Sequence, residues 1–273
     1  MCIRDRCYPI IAAFPHSTSR ALDPATHTHC LWINAGVRED GSTGTIRSRD
    51  LYEYKMAAGA AYRARLDFEL TRLGYSTEQD KTSFKVRGVS DKVCEHFSTR
   101  RKEILDKTDA LGFYSAEAAA FAAQVTRSVK GHVARAELEP RWQSESTKLG
   151  LSPVKAAALR KPPTLERPAT QVERIVQKAV DEAAVTLAEE RGFFTDADLS
   201  FRATTSLHGM GVTPESIAPV VGEKLATLKA LTNEVAINRY TTKEHYDLET
   251  RMIESANALS RNCLLYTSPS PRD

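Results

Sequence analysis

Three of the chain's seven histidines, His16, His27 and His29, lie close together in the sequence. Neutral imidazole is a common protein ligand for divalent metal ions, and three protein ligands leave coordination positions open for a substrate. An ion held in this way could polarise a phosphoryl oxygen. The spacing of these histidines therefore predicts a catalytic metal centre, without identifying the metal.

Two predicted strands position these side chains. Residues 8–14 and 27–34 are apolar enough to form strands, and His16 comes shortly after the first of them. Because alternate residues of a strand face the same side, His27 and His29 are expected side by side, with Leu31 and Ile33 continuing that face into an apolar interior. Trp32 is expected to pack behind the sheet.

The residues alone leave a second interpretation open. A pair of histidines separated by one residue often lies half-exposed on a strand without binding any metal. The other four histidines have no partner at ligand spacing, and we interpret them as structural. Five cysteines without a CxxC pair argue against a cysteine zinc site.

Residues 14–34 resemble the three-histidine motif of the TrwC/TraI-type conjugative relaxases, the MobF family of HUH endonucleases. The shared features are the spacing of eleven residues from His16 to His27 and two to His29, together with residues 19–21 and 23–24. Residues 49–52, 59–75 and 97–101 resemble more C-terminal parts of the same family. Residues 239–242 resemble the start of the helicase segment.

The resemblance implies a metal site and a DNA substrate. It implies that His16, His27 and His29 bind a divalent ion, Mg²⁺ or Mn²⁺ in the first instance and Zn²⁺ as an alternative. The ion would activate the scissile phosphate of single-stranded DNA at a transfer origin, and a tyrosine would attack to give a 5′-phosphotyrosine. Other relaxosome and conjugation proteins are the implied partners.

The family's tyrosine nucleophile and an earlier acidic residue have no match in this chain, and no catalytic residue is assigned. Tyr8 lies on the strand that leads to His16 and is not interpreted as the nucleophile. No GxxxxGK[ST] string occurs, so ATP is expected only in a helicase part outside the chain. The chain is therefore expected to be an incomplete, inactive fragment of a relaxase–helicase.

Four basic residues near the histidine strand are candidates for contacts with DNA phosphates: Arg20, Arg47, Arg49 and Lys55. Arg20 is the strongest candidate because it lies inside the motif. The net charge of +3 is too small to indicate a nucleic-acid partner by itself.

The predicted fold class is α+β, with an antiparallel sheet and flanking helices as in part of an HUH relaxase, followed by an all-α segment. Residues 7–150 are expected to be the C-terminal part of a relaxase domain, 151–169 a linker, and 170–262 the helical start of a helicase. Residues 1–6 and 263–273 resemble translated sequencing-adapter sequence.

A helix is expected from Asp50 to Gly74, with an apolar stripe that includes Leu51, Tyr62 and Leu66. A hairpin is expected at residues 75–87.

The sequence has no apolar run long enough to span a membrane. Its five scattered cysteines, an odd number, argue against a disulfide framework, so we expect a chain in a reducing, cytoplasmic compartment. Two other functions are kept as alternatives to the relaxase fragment. One is a non-catalytic helical module that binds DNA or acts as a scaffold. The other is an unrelated three-histidine metallohydrolase with its own water nucleophile.

Overall fold

A computed structural model describes residues 7–46, 48–126, 133–162, 167–231 and 239–263. The chain divides into two compact units. The first unit combines Met1–Tyr52 with Val86–Lys161, and the second combines Glu53–Lys85 with Pro162–Asp273. Of the two ends predicted to be adapter sequence, 1–6 and 264–273 lie outside the described residues, and Cys263 is the last residue of the final helix.

The described residues form both strands and helices. The strands are β1 (Cys7–Thr18), β2 (Pro24–Arg38), β3 (Thr43–Gly44), β4 (Thr77–Asp80), β5 (Ser83–Val86), β6 (Phe194–Thr195), β7 (Lys229–Leu231) and β8 (Arg239–Thr241). The helices are α1 (Ser48–Glu53), α2 (Lys55–Arg72), α3 (Asp91–His96), α4 (Thr99–Leu111), α5 (Ala116–Val125), α6 (Arg135–Lys148), α7 (Pro153–Ala158), α8 (Ala169–Arg191), α9 (Asp196–Ser206), α10 (Pro214–Thr227) and α11 (Lys243–Cys263).

The first unit is built on an antiparallel sheet in the order β1-β2-β3. β1 contains Pro9 and Pro15, which cannot donate a backbone hydrogen bond. Prolines are tolerated in a strand at the edge of a sheet, and β1 is the edge strand here. β2 is the central strand, and it carries two of the three histidines, His27 and His29.

The second unit has the main hydrophobic core of the described residues. One face of α8 is buried against α9, α10 and the segment around β6. The core residues are Val176, Ala179, Val180, Ala183, Ala184, Leu187, Ala188, Phe194, Leu199, Ala203, Leu207, Val212, Ile217 and Val221. Small alanines on α8 allow close approach of the neighbouring helices, which is typical of well-packed helical cores.

The prediction of a single helix that starts at Asp50 is wrong in two respects. It is divided into α1 and α2, and its buried residues are Ala57, Ala60, Ala64 and Asp67. The predicted stripe lies on the outside, since Leu51, Tyr62 and Leu66 are exposed. In the second unit, α9 packs against the alanine face of α2.

Other predictions from the sequence are confirmed. The class is α+β, and β4 and β5 form the predicted hairpin. The prediction that the last part is all-α needs correction, because β6, β8 and β7 form a small antiparallel sheet there.

Within the described ranges, no helix combines the length and the apolar character needed to cross a membrane.

The segment 151–169, expected to be a linker, contains α7, whose first turn is capped by the Ser152 side chain.

Candidate metal centre

The three predicted ligands lie together at one end of the β1–β2 pair. His16 of β1 and His27 of β2 are direct cross-strand partners. His29 is two residues further along β2, so its side chain lies on the same face as that of His27. Ligand-capable atoms of all three residues lie within 4.8 Å of one another. Among the described residues, this is the one group of three or more histidine, cysteine or acidic side chains with metal-binding geometry.

The three rings face each other at angles that avoid stacking. Ring centroids are 5.5 Å apart for His16 and His27, 4.7 Å for His16 and His29, and 4.9 Å for His27 and His29. Both pairs that include His29 are close to perpendicular, at 89° and 78°. Rings placed in this way do not cover each other, so their nitrogen atoms stay accessible.

The His27 ring is oriented by the backbone of its own strand. Its Nδ1 lies 2.8 Å from the Ala25 carbonyl oxygen. A carbonyl can only accept a hydrogen bond, so Nδ1 carries the proton and donates it. Nε2 then presents its lone pair on the side of His29, and this is the pattern by which outer-shell contacts fix the tautomer of a metal-bound histidine.

The arrangement fits a divalent ion. Two imidazole nitrogens bound to one ion at about 2.0–2.1 Å are about 3.0–3.4 Å apart. The His27 Nε2 and His29 Nε2 atoms are 3.3 Å apart. Other pairs of ligand atoms in this group are separated by up to 4.8 Å. Binding of one ion by all three histidines would therefore require a small rotation of an imidazole side chain. His16 and His27 are half-buried and His29 is exposed, so the open side of the site faces solvent and can admit a substrate.

The apolar residues beyond the histidines correct the sequence-based prediction. Leu31 and Ile33, predicted to enter an apolar interior, are 61% and 46% exposed. Trp32, predicted to pack behind the sheet, is 44% exposed. The alternation of the strand is as predicted, but neither face of β2 is buried along this stretch of the described structure.

The four basic candidates for DNA contact have different placements. Arg20 is half-buried in the turn between β1 and β2, the turn that joins two of the ligands. Arg49 is exposed on α1 in the first unit. Arg47 lies outside the described residues, and Lys55 is an exposed residue of α2 in the second unit.

Sequence reasoning missed the residues that support the ligand strands. The Ala25 carbonyl has no signal in the sequence, because any residue type supplies a backbone oxygen. Thr99 and Trp142 contact the turn between β1 and β2 from 76 and 120 residues away. Contacts at such a separation cannot be found from local spacing or periodicity.

Comparison with known proteins places these features in a family. The profile of the TrwC relaxase family matches residues 8–149, more than half of the chain. The multifunctional conjugation protein TraI of Escherichia coli strain K12 is 27% identical over 280 residues, covering 93% of this chain. A second TraI from Escherichia coli is 26% identical over 276 residues. The chain spans only 15% of the length of either relative.

Solved structures of a conjugative relaxase, TrwC, are similar to the chain. A metal-free complex of TrwC with OriT DNA is 31% identical, with a TM-score of 0.50, and the match covers 53% of each chain. A metal-bound complex with OriT DNA has the same identity and TM-score and covers 53% of this chain and 52% of that one. A third complex, with the same identity, TM-score and coverage as the first, contains a 27-mer DNA comprising the recognition hairpin and the cleavage site.

Proposed function

Because the chain belongs to the TrwC relaxase family, we propose that it supplies the metal-binding part of a relaxase site for single-stranded DNA at a conjugative transfer origin. The observation that carries the proposal is the convergence of His16, His27 and His29 within 4.8 Å. The similar TrwC structures support it, since they include both metal-free and metal-bound complexes with OriT DNA.

The proposed ligands are the Nε2 atoms of His27 and His29 together with one ring nitrogen of His16. Mg²⁺ or Mn²⁺ is the proposed ion, with Zn²⁺ as the alternative; imidazole ligands also suit other transition metals. When bound, the ion would polarise the scissile phosphate and offset its negative charge. The hydrogen bond from His27 Nδ1 to the Ala25 carbonyl orients the ring and leaves Nε2 as the nitrogen that can bind the ion.

DNA is proposed to reach the site across the exposed side of His29. Arg20, in the turn beside the ligands, is the first candidate for a phosphate contact, because a guanidinium can bond two phosphate oxygens at once. Arg47, Arg49 and Lys55 remain proposed phosphate contacts of lower rank. Such contacts would position the strand without reading its sequence.

We assign the covalent step to a tyrosine outside the matched residues. Its phenolic oxygen would bond to phosphorus as the bond from phosphorus to the 3′ oxygen breaks. The phenolic proton passes to a general base, and the 3′ oxygen leaves with the bonding electron pair and takes up a proton from solvent, so the products are a 5′-phosphotyrosine and a free 3′-hydroxyl. The chain alone is therefore expected to bind metal and single-stranded DNA without cutting it.

The domain division is also a proposal. Residues 7–150 would belong to the relaxase domain, 151–169 would link this domain to a helicase, and 170–262 would form the start of that helicase. The alignment with TraI over 93% of the chain supports one continuous region of a conjugation protein. Packing crosses this division, because residues 53–85 share a compact unit with the segment from Pro162 onward. Other relaxosome proteins are the proposed partners, and the cytoplasm is the proposed location.

The direct test is a Mn²⁺ titration of the full 273-residue chain, monitored by the electron paramagnetic resonance signal of free Mn²⁺. One equivalent should bind to the unmodified protein, and none to a variant with both His27→Ala and His29→Ala. His96→Ala is the matched control, since this exposed histidine lies on α3 in the same unit and pairs with Glu145 at 3.2 Å. Equal uptake by the double variant would contradict the proposal.

A DNA assay separates the alternatives. Fluorescence anisotropy with a single-stranded oligonucleotide should show binding that strengthens when Mn²⁺ is added. A DNA affinity that does not change when Mn²⁺ is added, and that is the same in the double histidine variant, would favour a non-catalytic DNA-binding or scaffold module. Cleavage of the oligonucleotide by the chain alone would favour a metallohydrolase that uses water.

A further inference from the structure

The turn between β1 and β2, residues 19–23, is the covalent link between the two strands that carry the proposed metal ligands. It joins the strand that carries His16 to the strand that carries His27. Leu22 has a φ of +64°, the left-handed region that residues with a Cβ rarely adopt. A non-glycine residue keeps this conformation only where surrounding contacts favour it. The contacts that surround this turn therefore bear on the geometry of the ligands.

Regular strand pairing does not secure the turn. The pairing register shifts between His16 and Thr18, and the last pair joins Thr18 to Pro24. Pro24 has no N–H group, so it cannot donate a hydrogen bond to β1. Hydrogen bonds inside the turn close it locally: the Ser19 N–H donates to the Asp23 carbonyl at 2.9 Å, and the Asp23 N–H donates to the Ser19 hydroxyl at 3.1 Å. Contacts from α4 and α6 then join this turn to the rest of the unit.

The first such contact comes from the start of α4. The Asp23 side chain is buried, at 6% exposure. Its Oδ2 accepts a hydrogen bond from the Thr99 backbone N–H at 3.0 Å, and its Oδ1 accepts one from the Thr99 hydroxyl at 3.1 Å. The first N–H groups of a helix have no partner inside it and favour a carboxylate. The Asp23 carboxylate meets that need and fixes the turn to α4.

The second contact comes from α6. The indole Nε1–H of Trp142 donates to the Leu22 carbonyl oxygen at 2.9 Å. This carbonyl belongs to the residue with positive φ, so the hydrogen bond stabilises the strained position directly. Arg141 reaches the same oxygen with one guanidinium nitrogen at 3.4 Å, a weaker contact.

We propose that Thr99 and Trp142 are positioning residues of the metal centre, which hold the β1–β2 turn on α4 and α6 so that His16 and His27 stay at ligand spacing. The inference rests on the proposed metal site and adds two residues that bind neither the metal nor DNA. Both lie in the same compact unit as the histidines. Loss of either contact frees the turn to twist, and the strand ends that carry the ligands twist with it.

The test measures Mn²⁺ affinity in the full chain with variants that remove single contacts. Thr99→Val keeps the shape of the side chain and removes the hydroxyl, whereas Thr99→Ser keeps the hydroxyl. Trp142→Phe keeps an aromatic ring and removes the N–H. Outer-shell partners of metal ligands are worth about 10–100-fold in affinity. Because these contacts act through the backbone, we expect a loss at the low end, about tenfold, for Thr99→Val and Trp142→Phe.

The conservative variant and the spectrum separate positioning from folding. Thr99→Ser should restore an affinity within about twofold of the unmodified protein, since it keeps the donor to Asp23. The line shape of bound Mn²⁺ should broaden in Thr99→Val and Trp142→Phe as the ligand geometry becomes less uniform. If Thr99→Val fails to fold, Trp142→Phe decides the question.

Two outcomes would overturn the inference in distinguishable ways. If the unmodified protein binds Mn²⁺ and Trp142→Phe binds it with the same affinity and line shape, the residues are structural only and the metal site stands. If the unmodified protein takes up no Mn²⁺, the metal site itself fails, and the positioning role fails with it.

Discussion

The two units of the chain differ in what holds them together. In the first unit the histidine hairpin is mostly exposed, and the contacts that fix its turn are hydrogen bonds from Thr99 and Trp142. In the second unit, fourteen buried apolar residues form one contiguous core. The proposed metal site and the main apolar core thus lie in different parts of the sequence, and metal binding and stability should respond to different substitutions.

The second unit also contains a buried polar cluster that its apolar core does not explain. The Asp67 carboxylate accepts hydrogen bonds from the backbone N–H groups of Gly209 and Gly211, both at 2.9 Å. Both glycines have positive φ, and a Cβ on Gly209 would lie 2.5 Å from the Gln79 nitrogen. His208, beside them, donates from Nε2 to the Ala60 carbonyl at 3.0 Å. This cluster fastens α2 to the loop between α9 and α10.

A core substitution should have the largest effect that distinguishes the two units: it should lower stability without changing Mn²⁺ affinity. Leu199 is fully buried in the second unit, and Leu199→Ala should lower the free energy of unfolding by about 3 kcal/mol. Mn²⁺ affinity should be unchanged at 25 °C, because the ligands belong to the first unit. Chemical denaturation monitored by circular dichroism measures the first quantity, and a Mn²⁺ titration measures the second.

Leu259→Ala is the matched control for the core substitution. Leu259 lies on α11 and is 70% exposed, so its truncation should change the free energy of unfolding by less than about 0.5 kcal/mol. Leu199→Ala could instead lose as much Mn²⁺ affinity as the histidine variants do. That result would contradict the claim that metal binding and stability depend on different units.

A smaller effect is expected for DNA binding. Arg20→Ala should weaken single-stranded DNA binding about three- to tenfold and reduce the salt dependence by about 0.7 in the slope of log K against log salt, the value for one phosphate contact. Fluorescence anisotropy at several salt concentrations checks both. Arg135→Ala, on α6 and paired with Glu139 at 2.6 Å, should leave affinity and slope unchanged. Equal effects of the two substitutions would remove Arg20 from the DNA site.

The smallest effect concerns the pH dependence of the second unit. Burial lowers the pKa of His208, and the charge of Arg63 lowers it further, while the Ala60 carbonyl, Asp67 and the Thr82 backbone act in the opposite direction. The folded state then binds fewer protons than the unfolded state, whose histidine pKa is about 6.5. Stability is therefore fully present above about pH 6.5 and is lost as the pH falls below it.

A variant isolates this contribution from other titrating groups. His208→Gln can still donate to the Ala60 carbonyl but cannot titrate in this range. Thermal unfolding between pH 7.5 and 5.5 should show a shallower loss of stability in the variant than in the unmodified chain. Parallel pH profiles would show that His208 does not contribute.

The proximity of the three histidines followed from the sequence more closely than the packing did. Strand periodicity, a local feature, places His27 and His29 on one face, whereas His16 was joined to them through the resemblance to a family motif. The face of α2 was predicted wrongly because Ala57, Ala60 and Ala64 pack closely against α9, and the size of a side chain does not reveal which face has a partner. Thr99 and Trp142 were missed because their contacts depend on how distant helices meet the turn.

The central claim is that His16, His27 and His29 bind one divalent ion. Crystals of the chain soaked in Mn²⁺ and measured at the manganese absorption edge test it most directly, because anomalous scattering locates the ion itself. We expect one strong anomalous peak at about 2.0–2.3 Å from a nitrogen of each of the three rings. The absence of a peak between these rings, in crystals with Mn²⁺ bound at another position or at none, would contradict it.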